Sequence, residues 1–195
     1  MITATAVDRH VEQLFDVLRR LHAALTEARI EYRIIGGMAI FLQISERNHD
    51  AARLTRDVDV AVDRKDLERI ARAVEAFGFR YRHVAGVDLL VDAKEPKARS
   101  AVHLVFIGEK VRREYLEPVP DFSEATVTIE GILLAPVADL VLMKLTSFRL
   151  KDKVHLIDLD SVGLITPEIE QELPKSLRAR LEQVRKEERQ STGAE

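Results

Sequence analysis

Residues 55–62 read Thr55-Arg56-Asp57-Val58-Asp59-Val60-Ala61-Val62. Acid and valine alternate with the two-residue period of an extended strand, which sends both carboxylates to one face and the valines to the other. Two carboxylates held that close repel each other. A divalent cation relieves the repulsion, and one or two carboxylates completed by substrate phosphates are the oxygen ligands magnesium prefers. An ordinary edge strand with solvated aspartates has the same pattern, so the surrounding sequence must decide between the two.

Upstream, Tyr32-Arg33-Ile34-Ile35 is a short β-prone run halted by Gly36-Gly37, after which Met38-Ala39-Ile40-Phe41-Leu42 resumes in helix-forming residues. That spacing predicts a strand, a glycine turn and a buried helix whose first N–H groups and positive end can meet an anion. Still earlier, Val11, Leu14, Leu18, Leu21 and Leu25 recur at intervals of three and four and predict an amphipathic helix over 7–28. The polar stretch 45–52 reads as a loop and 54–62 as the acidic strand. Asp63 is placed to cap a helix over about 64–77 that Gly78 closes. Strands are expected at 79–84, 87–91 and 101–107, with a hairpin around Glu130-Gly131. Beyond Pro136 the pattern turns helical, at 137–150, 152–161 and 174–185. The order argues for an α+β fold, a mixed β-sheet flanked by helices with a helical C-terminal appendage. It divides into a core over 1–135, a helical segment over 136–187 and a fraying tail over 188–195.

Strand, Gly-Gly and helix, followed by Asp-x-Asp on the next strand, resembles the nucleotidyltransferase superfamily, matched here by Gly36, Gly37, Asp57 and Asp59. The long interval between the two motifs is similar to that of the abortive-infection toxin branch. A further likeness to that branch lies in Lys144-Leu145, then Arg149, Lys151-Asp152 and the closing Asp158-Leu159. The resemblance implies that Asp57 and Asp59 hold Mg2+ or Mn2+ and that the Gly36-Gly37 helix end steadies a triphosphate. It also implies phosphate or acceptor contacts by Lys144, Arg149, Lys151 and Asp152. Many relatives carry a third carboxylate on a later strand, where this chain has Ala101-Val102-His103-Leu104. His103 is then either a general base working near neutral pH or the mark of a site that has lost turnover, and Asp88 is the other candidate for the third position. Arg53 and Arg56 flank the acidic strand and offer guanidinium forks to phosphate oxygens.

The remaining composition narrows the alternatives. With 46% hydrophobic and 32% charged residues, the chain is too apolar for disorder and too charged for a membrane protein. A net charge of -3 gives no general basic field for nucleic acid, so an RNA contact would need a local patch. The absence of cysteine removes thiolate metal sites and cysteine nucleophiles. No Gly-x-Ser-x-Gly, His-x-x-x-His or Walker-type run occurs. The expectation is a cytoplasmic, metal-dependent nucleotidyltransferase acting on a nucleoside triphosphate, with a tRNA, protein or small-molecule acceptor. The alternative is a nucleotide- or partner-binding module paired with a cognate toxin or antitoxin.

Overall fold

The computed structural model describes residues 4–55, 57–94, 101–128 and 130–193. The elements run α1 (Ala4–Glu27), β1 (Tyr32–Ile35), α2 (Gly36–Arg47), β2 (Val58–Val62), α3 (Leu67–Ala73), β3 (Phe79–Val84), β4 (Val87–Asp92) and β5 (Val102–Phe106). They continue with β6 (Thr126–Val127), β7 (Leu133–Leu134), α4 (Val137–Ser147), α5 (Leu150–Ser161), α6 (Pro167–Glu172) and α7 (Lys175–Thr192). The strands form one mixed sheet in the order β3-β4-β5-β2-β1-β7-β6. At its centre β2 runs antiparallel to β1 and parallel to β5, so Asp59 lies opposite Ile35 on one side and His103 on the other.

The alternation read from the sequence holds in this centre. Val58, Val60 and Val62 stand in register with Val102, Leu104 and Phe106, and all six are buried. Asp59 and His103 therefore share the opposite face. Strand β2 starts at Val58 rather than at residue 54, because Gly36 turns the chain into α2 just where β1 would otherwise have paired with residues 54–57. Asp57 sits one residue ahead of the strand. Asp63 caps the helical run after β2 by accepting from the Lys65 N–H, and Gly78 ends that run with φ +81°.

Several helices differ from expectation. Helix α2 continues to Arg47 through the predicted loop, since Ile44 is buried and the buried Gln43 amide donates to Thr126 Oγ1 and the Ala135 carbonyl. The short α6 is opened by Thr166, which caps it, and by Pro167 in its first turn. Helix α7 runs to Thr192, past the expected end at 185 and into the expected tail, held where Lys153 and Gln183 both reach Glu187. Leu177, Leu181 and Val184 of α7 belong to the same buried cluster as Leu18 and Leu21 of α1 and Met38 of α2, so the helical C-terminus completes the core. No helix among the described residues is long and apolar enough to cross a membrane.

Candidate active site

The site begins with a close approach of backbone to side chain. Gly36 has φ +69°, and a Cβ there would stand 2.1 Å from Asp59 Oδ2. Only glycine admits both the left-handed turn and the carboxylate pressed against it. A Cβ on Gly37 would fall 2.7 Å from Thr55 Oγ1 and 3.5 Å from His155 Cε1. The start of α2 is thus wedged between the acidic strand and α5.

Asp57, Asp59, His103 and Gly36 line one cleft of about 590 Å3, together with Lys144, Arg149 and Lys151 from the helical half. His103 Nδ1 lies 3.1 Å from Asp59 Oδ1. The carboxylate accepts, which leaves Nε2 as the free ring nitrogen. That bond and the charges of Asp59 and Asp57 raise the imidazole pKa above its ordinary value, against a smaller opposing effect of burial. Asp88 does not take the third-acid position. It lines the same cleft but is in register with Leu104 rather than His103, and its carboxylate is taken up by Tyr81 Oη at 2.6 Å, His83 Nδ1 at 2.8 Å and the Arg64 guanidinium at 3.9 Å.

Behind the cationic wall lies Asp152, fully buried. Its oxygens accept from Lys144 Nζ at 3.2 Å, Arg149 Nε at 2.7 Å and Ser147 Oγ at 2.8 Å. Burial pushes this carboxyl up, but the Arg149 hydrogen bond and the Lys144 charge outweigh it and hold the pKa at about 2. Burial pushes the Lys144 ammonium down, with Asp152 working in the opposite direction. Expected among the nucleotide-binding residues, Asp152 has no exposed atom to offer a ligand and instead orients the two cations that face the cleft. Arg53, expected to meet phosphates, donates to Asp158 Oδ1 at 3.0 Å. Arg56 lies outside the described residues. Burial, then the Lys144 charge, takes His155 down to about 4, so it packs against Gly37 as a neutral ring.

The sequence reading missed the facing wall. The Arg64 guanidinium stacks 3.6 Å from the centre of the Phe106 ring and pairs with Glu109, and all three residues line the cleft with Tyr115 from the long β5–β6 connection. No spacing motif marks these residues, because they meet only through strand order.

Among the described residues no three His, Asp or Glu side chains form a ready-made metal cage. The chain offers two carboxylates on one cleft, the partial donor set that suits a magnesium ion sharing substrate phosphates, and the donor that Gly36 packs against is one of them.

No protein-family model matches the chain, and no curated protein sequence matches it. Among solved structures it is similar to the crystal structure of ANT(2'')-Ia in complex with adenylyl-2''-tobramycin. The TM-score is 0.51 at 15% identity, covering 84% of this chain and 94% of that one. A solution structure of the antibiotic-resistance factor ANT(2'')-Ia aligns over 95% of each chain at 15% identity, with a TM-score of 0.48. With its seven-stranded mixed sheet and flanking helices, the chain has a nucleotidyltransferase-like fold.

Proposed function

We propose that this protein transfers a nucleoside monophosphate from a nucleoside triphosphate to an acceptor hydroxyl. The observation that carries the reading is the contact between Gly36 and Asp59, which presses a helix start against the acidic pair in a cleft that Lys144, Arg149 and Lys151 also line. The ANT(2'')-Ia structure that shares the fold is a complex with adenylyl-2''-tobramycin, which favours transfer of a nucleoside monophosphate here.

Lys144, Arg149 and Lys151 neutralise phosphate oxygens, and the start of α2 adds backbone donors. Asp57 and Asp59 would hold the metal, which would supply Lewis-acid charge to the triphosphate and lower the acceptor hydroxyl's pKa. Neutral His103, keeping Nδ1–H on Asp59, takes the acceptor's proton at Nε2. The new bond joins the acceptor oxygen to the α-phosphorus, and pyrophosphate leaves in line with it.

Incubation with each α-labelled triphosphate, Mg2+ or Mn2+, and pooled RNA, protein and small-molecule acceptors tests this directly. Label should pass to one pool and be lost in Asp57→Asn. Absence of transfer with every combination overturns the reading.

One observation favours a second reading, a binding module that has lost turnover and pairs with a cognate toxin or antitoxin. His103 stands in register with Asp59 where a third acid is expected, and its ring occupies an Asp59 oxygen. His103→Asp separates the two readings. It creates or raises magnesium-dependent transfer in a degenerate module and impairs it in a histidine-based enzyme.

A further inference from the structure

Asp57 is carried by a segment that no ladder holds. Residues 52–55 have no regular structure, β2 begins only at Val58, and the Thr55 hydroxyl comes no closer than 3.5 Å to the Asp57 backbone. Among the described residues, one side-chain hydrogen bond reaches the segment from α5, and the start of α2 lies against it, backed in turn by α5. Arg53 Nε donates to Asp158 Oδ1 at 3.0 Å, while Thr55 lies against Gly37, whose other neighbour is His155.

Asp158 and His155 lie three residues apart and so share one face of α5. Asp158 is buried to 7% exposure, yet its partner's side chain is 67% exposed, so the pair is anchored from the α5 side. Asp158 Oδ2 is buried with no hydrogen-bond partner among the described residues. A buried carboxylate with one oxygen unsatisfied is costly unless its charge is answered, and Arg53 is the cation that answers it.

From this geometry we infer that Arg53 and Asp158 form a clamp by which α5 positions the Asp57-bearing segment. Arg53 is a positioning residue rather than a phosphate ligand. The inference rests on the proposed function for its consequence in catalysis, but the clamp itself is a statement about the segment and is measurable without turnover.

The two roles for Arg53 give opposite expectations for Asp158→Asn. A clamp loses its anchor, whereas a phosphate-binding Arg53 is freed and binds at least as well. Arg53→Gln, at an exposed side chain, and Asp158→Asn should each lower the NMR backbone order parameters of residues 52–55. Each should weaken metal-dependent triphosphate binding by about tenfold or more, the usual effect of removing a residue that orients a ligand-holding group. The double variant should lose no more than the more damaging single, because both changes remove one contact. Order parameters unchanged in Arg53→Gln overturn the clamp, and so does undiminished binding in a folded Asp158→Asn. If the wild type binds no triphosphate with either metal, the functional reading falls, and the order parameters alone still decide the clamp.

Discussion

An alanine at position 36 would need φ near +69° and would drive its Cβ into Asp59 Oδ2. The backbone cost is about 1–2 kcal/mol, and the carboxylate can swing aside. The damage should therefore fall on the site: Gly36→Ala should lower Tm only modestly while cutting transfer by roughly 100-fold, as a misplaced catalytic group does. Comparable losses in stability and activity would reduce Gly36 to a turn residue. His103 gives the other test at this scale. Its pKa is raised, chiefly by the hydrogen bond to Asp59, so a base role requires a rate that climbs with pH through a value above the ordinary 6.5. His103→Ala should erase that limb, and a pH profile identical to wild type would remove the base assignment. Position 103 also shows what local sequence can carry. Its strand and its face follow from alternation and its third-acid position from the family resemblance, but its register with Asp59 and its bond to it depend on two strands separated by some forty residues becoming neighbours.

At the scale of elements, α4 and α5 act as one unit because Asp152 ties Lys144, Ser147 and Arg149 together. The Asp152 pKa is about 2 in the folded protein against an ordinary 3.8, so the unfolded chain takes up its proton first as pH falls. Stability from this group is complete above roughly pH 5 and drains away toward pH 2. Asp152→Asn should flatten that acid limb in denaturation curves. It also leaves Lys144 buried without its counter-charge, at a cost of about 3–5 kcal/mol near neutral pH. An unchanged acid limb would show that other carboxylates govern acid unfolding. The cationic wall was readable as a family-like string of residues, but its division of labour was not. Sequence cannot show that Asp152 points inward while Lys144 and Arg149 face the cleft, since that depends on how α4 and α5 pack on each other.

For the molecule as a whole, α7 packs into the same cluster as α1 and α2. Leu181, 1% exposed, should cost about 2–5 kcal/mol when truncated to alanine, and unfolding should remain a single cooperative transition. Two separate transitions, with only one of them shifted, would make the C-terminal helices an independent unit. By itself the sequence determined the elements whose cause is local. The β2 alternation, the Gly36-Gly37 break, the Asp63 cap and the Gly78 stop all follow from backbone sterics and side-chain period within a few residues. Tertiary structure alone decided where β2 begins, since that depends on where β1 stops offering hydrogen bonds. It also decided that α7 persists to Thr192 through its contacts with α5, and that Arg64, Glu109 and Tyr115 close the cleft. It turned Arg53 toward Asp158 as well, because folding brings a buried carboxylate more than a hundred positions away within hydrogen-bonding reach. Charge pairing of this kind depends on distance in space, and a linear sequence records only distance along the chain.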